Sequence, residues 1–345
     1  MTKLYTEVRT ERRSDISITL SNRIVMLGSC FSDEIGGKLR DAGFQVLCNP
    51  FGTLYNPASI ASAVSRLDGD TVFTVEDCVQ MGAGVERICS FEHHSSFAAL
   101  TSEDFLDRAN SSLVRSRDFW HNSDIVIITL GTSFIWKHKG KVVSNCLKRP
   151  AKEFDRSMLS FSETAALLSG IVRNHPEKRF IFTVSPIRHL GDGAHANTIS
   201  KSSLHIGLQS VLDAFPGRTT YFPAYEILLD ELRDYRFYAN DLVHPRDVSV
   251  DIIWNRLKEF CIPENEYRRL EANLKASAAS RHIPNTDKSY SIYFRTGFLI
   301  LPIPFMSESK DSALSSERSI SPAPLIRTFA SFAFPDTSQL PAPIT

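Results

Sequence analysis

The sequence has no long apolar run, no excess of either charge and no paired-cysteine motif, and each absence narrows what the chain can do. No segment approaches the about 20 consecutive apolar residues that a membrane-crossing helix needs. The first residues, Met1 to Val8, lack the apolar centre of a secretory signal, so a cytoplasmic protein without a membrane span is expected. Lys and Arg number 39 against 39 Asp and Glu, a formal net charge of 0. Such a balance creates no field that would draw nucleic acid or an anionic membrane. The six cysteines (Cys30, Cys48, Cys78, Cys89, Cys146 and Cys261) form no Cys-x-x-Cys pair and no zinc-like spacing with histidine. Reduced thiols and no metal site are expected.

What is present is an ordinary globular composition, 42% hydrophobic and 23% charged over 345 residues, enough to bury a full core. Ile24–Leu27, Ile125–Leu130 and Phe180–Val184 are short, β-branched and nearly all apolar, as strands covered on both faces are. Gln45–Cys48 and Thr219–Phe222 read as further strands. Helical patterns lie between them: Thr101–Trp120, opened by Thr101-x-x-Asp104; Phe161–His175, opened by Ser160-x-x-Glu163; Lys201–Ala214; and Val248–Phe260. Phe134–Val143, with Lys139-Gly140 at its centre, reads as a hairpin insertion. The alternation predicts a three-layer α/β/α fold around one doubly wound, mainly parallel sheet, with its ligand site beyond the carboxyl ends of the strands. The domain is expected over residues 1–270. Residues 271–345, rich in Ser and Pro and with Pro302 and Pro304 interrupting their one apolar run, read as a low-order tail.

Two stretches carry chemistry. Gly28-Ser29-Cys30-Phe31 follows the first strand and leads into a helix, a corner that exposes a turn side chain beside helix N–H groups. That setting suits an oxyanion or an ionising thiol. The alternative is a plain turn capped by Ser32. Asp241-Leu242-Val243-His244-Pro245 precedes the last helix. An Asp three residues ahead of a His can hold the ring by Nδ1–H and leave Nε2 open as a base. The bland reading is a surface Asp beside a satisfied histidine. Arg188 and His189 follow a strand end, where a substrate carboxylate or phosphate would find Arg188, or where a salt bridge would use it. Lys201 reads as solvated or paired with a neighbouring acid, and His93-His94 as surface.

Gly28-Ser29-Cys30-Phe31-Ser32, Asn49-Pro50-Phe51-Gly52-Thr53-Leu54-Tyr55-Asn56-Pro57, Leu130-Gly131-Thr132, Asn145-Cys146-x-Lys148, Ser185-Pro186-Ile187-Arg188-His189, Asn197-x-x-Ser200-Lys201 and Tyr221-Phe222-Pro223 through Asp241-Leu242-Val243-His244-Pro245 resemble, in order, the blocks of the GSCFA family. That family is grouped with the SGNH/GDSL hydrolases, and the resemblance covers about residues 20–265. It implies a flavodoxin-like sheet and acyl chemistry through a covalent intermediate, with no cofactor. The late block would supply Asp241 and His244, and Gly52 would donate its N–H to the oxyanion together with a turn N–H after Gly28. Two departures stand out. The clan's Gly-x-Asn reads Gly131-Thr132-Ser133 here, so its amide is absent, with Asn145, Asn56 or the Thr132 hydroxyl as replacements. The first block reads Gly-Ser-Cys where the clan reads Gly-Asp-Ser, which puts Cys30 in the nucleophile slot. Serine would need the Asp–His relay, whereas a cysteine at a helix N-terminus would already be partly ionised. A cysteine that merely fills space behind Ser29 is a third reading. The expected function is an esterase for small polar or carbohydrate acyl esters. An O-acyltransferase acting on glycans and a catalytically inactive glycan- or protein-binding module of the same fold are the alternatives.

Overall fold

The computed structural model of the protein describes residues 6–13 and 15–281. In chain order its elements begin with β1 (Arg23–Gly28), α1 (Cys30–Asp41), β2 (Gln45–Cys48) and α2 (Pro57–Asp68). A small hairpin, β3 (Val79–Gln80) and β4 (Ile88–Cys89), leads to α3 (Ser102–His121) and β5 (Ile125–Leu130). Next come β6 (Phe134–His138), β7 (Lys141–Val143), β8 (Phe154–Met158), α4 (Phe161–Asn174) and β9 (Arg179–Val184). The chain continues through α5 (Ala194–Ala214), β10 (Thr219–Tyr221) and α6 (Ala224–Glu226), which runs on as a π-helical turn over Ile227–Glu231. It then forms α7 (Asp247–Cys261) and α8 (Glu264–Arg281).

β10, β9, β5, β1 and β2 form, in that order, a wholly parallel sheet. This is the flavodoxin-like order, whose switch point lies between β1 and β5. Side chains alternate across the strands, so each strand contributes to both layers. Val25, Leu27, Val126, Ile128, Phe180 and Phe182 pack under α2 to α5, and Trp120 and Phe105 of α3 lie in that layer. Ile24, Met26, Ile125, Ile127 and Ile181 face α1 and α7. Burial on both faces explains why these strands read as continuous apolar runs. The three-layer α/β/α fold is therefore as expected.

The helix starts follow their caps. Thr101 accepts from Asp104 N–H to open α3. Ser160 and Glu163 form a reciprocal capping box at α4. Three local readings are corrected. α5 starts at Ala194, seven residues before the expected Lys201, after Gly193 with φ 84°. Its first turns bury Asn197, Ser200 and Lys201 in place of apolar residues, which hides the helical period. The hairpin β6–β7 gains a third strand, because β8 pairs antiparallel with β6. Only Phe154 of β8 is buried, so no alternation marked it. Helix α8 continues through residue 270 to Arg281, and the boundary expected there falls inside a helix. Asn273 Nδ2 donates to Ala42 O (2.9 Å) and Ser277 Oγ to Asp41 Oδ1 (3.0 Å), which docks α8 on the end of α1. The rest of the expected tail, with Pro302 and Pro304, lies outside the described residues. All six cysteines are unbridged. Among the described residues no helix is long and apolar enough to cross a membrane.

Candidate active site

The turn after β1 lies at the switch point, and its backbone needs glycine. Gly28 has φ 149°, and a Cβ there would lie 2.2 Å from the Thr129 carbonyl oxygen of β5. The strands approach too closely for any side chain. Asn49, at the end of β2, ties the corner together. Its Oδ1 accepts from Gly28 N–H (2.9 Å) and its Nδ2 donates to Asp33 Oδ1 in the first turn of α1 (2.9 Å). The polypeptide then turns directly into α1, with Ser29 as N-cap and Cys30 as its first residue.

Ser29 and Cys30 sit in different surroundings. Ser29 is 1% exposed, and its hydroxyl donates to Ser185 Oγ at the end of β9 (3.1 Å). Cys30 is half-buried. Burial, then the Asp33 carboxylate, pushes its thiol up to about 11, against the pull of the Cys30 and Phe31 N–H groups. The expectation of a partly ionised thiol at this helix end is thus corrected: desolvation and a neighbouring acid outweigh the helix N–H groups.

Asp241 and His244 form the expected pair. His244 Nδ1 and Asp241 Oδ2 are 2.6 Å apart, and Asp241 Oδ1 accepts from the N–H groups of Val243 and His244 (both 2.9 Å). Slight burial opposes ionisation of Asp241, but these two N–H groups and the ring hold it down at about 2. The loop closes on itself: Ala239 N–H donates to His244 O (2.7 Å) and Leu242 takes φ 59°. Both side chains are half exposed, at 50% and 51%. The structure makes no hydrogen bond between His244 and either Ser29 or Cys30; the ring's charge is felt at His189.

Behind the turn lies a lysine that sequence reasoning misplaced. Lys201 is 2% exposed, not solvated, and no carboxylate pairs with it among the described residues. Its Nζ donates to the Ser185 carbonyl (2.8 Å) and lies 5.8 Å from the centre of the Tyr225 ring. Burial brings its ammonium down to about 7, against the attraction of Cys30. Ser185 therefore links the Ser29 hydroxyl on its side chain to the Lys201 ammonium on its carbonyl.

His189 lies on the other side, after β9. Its Nε2 is buried without a hydrogen-bond partner, and a Cβ on Gly131 would lie 3.3 Å from it. The ring meets Tyr55 edge-on, with centres 5.6 Å apart. Burial, then Lys201, His244 and Arg156, lowers its pKa to about 4. Arg188 is exposed and lies among Tyr225 and Tyr238, whose phenols feel its charge.

The other expected donors are engaged to differing extents: the backbone N–H groups are bonded within the fold, whereas among the described residues the side chains of Asn56 and Asn145 bond only through their amide oxygens. Gly52 takes φ 86° against His94, and its N–H donates to Asn49 O (2.7 Å), so the donor expected to face an oxyanion is occupied within its own turn. Gly131 and Thr132 N–H both donate to Tyr55 O (2.8 Å each). Thr132 Oγ1 bonds Ser200 Oγ (2.9 Å) and accepts from Phe134 N–H (3.1 Å). Asn56 Oδ1 caps α2 through Ser59 N–H, and Asn145 Oδ1 accepts from Leu147 N–H (both 2.8 Å). His93 is buried rather than on the surface. It lies among the rings of Phe51, Phe73, Phe97 and Phe105, with Nδ1 bonded to Ser90 Oγ (2.7 Å). No group of three His, Cys, Asp or Glu is placed to hold a metal among the described residues.

The GSCFA family model matches residues 23–257. No curated protein matches the chain. Among solved structures, a family 3 carbohydrate esterase from Clostridium thermocellum is similar at 12% identity and a TM-score of 0.34, over 73% of this chain and 98% of that one. A variant of an acetyl-xylooligosaccharide esterase from Geobacillus Stearmophilus is similar at 10% identity and a TM-score of 0.37, over 70% of this chain and 95% of that one.

Proposed function

We propose that this chain, which belongs to the GSCFA family, hydrolyses small polar or carbohydrate acyl esters through a covalent acyl-enzyme formed at the Gly28–Phe31 turn. The observation that carries the reading is the 2.6 Å Asp241–His244 bond, which leaves Nε2 as the open ring nitrogen of a base. The fold adds a strand-to-helix turn at the switch point, where ligands of doubly wound sheets bind.

Exposure favours Cys30 as nucleophile, since Ser29 is sealed and its only hydroxyl proton is donated to Ser185. A thiol held near 11 is protonated at neutral pH and needs a base. In the proposed step the Cys30 sulfur bonds the acyl carbon, its proton passes to His244 Nε2, and the carbonyl pair moves onto oxygen beside the N–H groups that open α1. The tetrahedral adduct then collapses, the alcohol leaves with the proton from His244, and water releases the acid by the same route in reverse. Asp241 holds the ring and balances its charge while it is protonated.

A fluorogenic acetyl ester, assayed with the wild type and with Cys30→Ala, His244→Ala and Ser29→Ala, tests this. Loss of at least about 100-fold in kcat is expected for the first two, with a smaller loss for Ser29→Ala. Equal rates in all four proteins would end the hydrolase reading. Loss in Ser29→Ala with full activity in Cys30→Ala would move the nucleophile to Ser29.

A further inference from the structure

We propose that His189 donates a hydrogen bond from Nε2 to the carbonyl oxygen of the acyl group, the position for which Gly131-Thr132-Ser133 offers no side-chain amide. The inference rests on the acyl-transfer reading of this site and goes beyond it by naming a catalytic residue.

A buried polar atom without a partner is rare in a folded protein because it loses its hydration without compensation, so its persistence calls for a ligand group. His189 Nε2 is such an atom. Its position is built, not incidental. The His189 N–H is held by the buried Asn197 Oδ1 (2.9 Å), the ring rests edge-on against Tyr55, and the ring nitrogen lies over Gly131, at the carboxyl end of β5 beside the Gly28 turn. Gly131 lacks the Cβ that would crowd Nε2 at 3.3 Å and the Tyr55 carbonyl oxygen at 3.0 Å. The neighbouring backbone donors are already used: Gly131 and Thr132 N–H on Tyr55 O, and Gly52 N–H on Asn49 O.

The imidazole has the right protonation state for this task. Burial, Lys201, His244 and Arg156 all disfavour its cation, so it is neutral above about pH 4, and the proposal places its one ring proton on Nε2. No proton leaves His189 in the reaction. As the nucleophile bonds the acyl carbon, the carbonyl pair moves onto oxygen and the Nε2–H bond to that oxygen strengthens, while the nucleophile's proton goes to His244. Arg156 sits nearby on the hairpin insertion, stacked on Phe134 and Trp136 and paired with Asp192 of the His189 loop, which fixes that loop against β6 and β8.

The full-length chain carrying His189→Phe, which fills the space without a donor, is compared with His189→Gln, which restores an amide donor. His189→Phe is expected to lower kcat on the acetyl ester about 100- to 1,000-fold with KM little changed, and His189→Gln to recover at least about 10-fold of the loss. A second readout does not need turnover. Binding of trifluoroacetone, whose adduct carries an oxyanion, is followed by fluorine NMR and is expected to weaken about 100-fold in His189→Phe, while iodoacetamide alkylation of Cys30 is unchanged. Full kcat and unaltered ketone affinity in a folded His189→Phe protein would overturn the proposal. Should that variant not fold, the wild-type imidazole decides: its Nε2–H nitrogen resonance must move when the ketone is added, and an unmoved resonance overturns it equally. A wild type that hydrolyses no ester but binds the ketone through His189 sinks the hydrolase reading alone. One that neither hydrolyses nor binds sinks both.

Discussion

Lys201 allows a prediction whose sign and size follow from its burial. The ammonium is 2% exposed and donates to the Ser185 carbonyl, with no carboxylate among the described residues to balance it. Its pKa falls from 10.5 to about 7. At 1.36 kcal/mol for each tenfold change, holding the charged form in this place costs roughly 5 kcal/mol relative to the unfolded chain. Between pH 7 and 10.5 the folded protein has released a proton that the unfolded chain still binds, so stability rises with pH across that window. Below pH 7 both states are charged and the full cost applies. Replacing the side chain by the apolar Lys201→Met removes that cost but leaves the Ser185 carbonyl without its donor, a loss of roughly 1–3 kcal/mol. The net expectation is a variant about 2–4 kcal/mol more stable than wild type at pH 6, with the advantage gone by pH 10. Urea unfolding at pH 6, 8 and 10 measures it. A variant less stable at pH 6, or a difference that is the same at all three values, would refute the reasoning. A stabilised variant that has lost ester activity would show that this strain is kept for function.

Three further outcomes are expected. Gly28→Ala must push Thr129 O away from a contact of 2.2 Å at φ 149°, so a loss of more than about 3 kcal/mol and a Tm lower by at least about 6 °C follow; an unshifted melt would contradict the turn geometry. His93, which burial holds at about 3 against 6.5 in the unfolded chain, releases a proton on folding, so stability is lost as pH falls from 6.5 toward 3. His93→Phe should flatten that acid limb in a pH series of unfolding curves, and an unchanged limb would place the acid sensitivity elsewhere. Asp241→Asn should leave stability within about 0.5 kcal/mol, because the side chain is half exposed, while kcat/KM on the acetyl ester falls by about 100-fold or more; a variant with wild-type turnover would show that the ring needs no such partner.

The sequence makes legible what depends on local pattern, and hides what depends on solvation. β1, β5 and β9 can be read because burial on both faces demands unbroken β-branched runs, and α3 and α4 because Thr101 and Ser160 announce their caps. The Asp241–His244 pair can be read because three residues of spacing within one turn suffice to make the bond. The Gly28 corner can be read in the same way, as a strand that runs straight into a helix. The thiol's state cannot, since a helix N-terminus lowers it and burial beside Asp33 raises it, and only the folded environment decides between them. Gly52 illustrates the same limit for a backbone group, because whether its N–H points to a ligand or to Asn49 O depends on a turn conformation that the residue types permit but do not dictate.

Lys201 and His93 share one physical reason for being misread. Charged and polar side chains are assigned to solvent by default, and each of these is buried because other residues remove the water around it. A signal for Lys201 was nonetheless present. Asn197, the pair Ser200 and Lys201, then Leu204, Leu208 and Val211 recur at three- and four-residue spacing, the stripe of one helix face, and its C-terminal half is apolar. A face that buries Leu204 and Leu208 must carry Lys201 inward one turn earlier. A polar residue on the core stripe of a helix marks either an error in the helix or a buried polar site, and the start of α5 at Ala194 decides for the second.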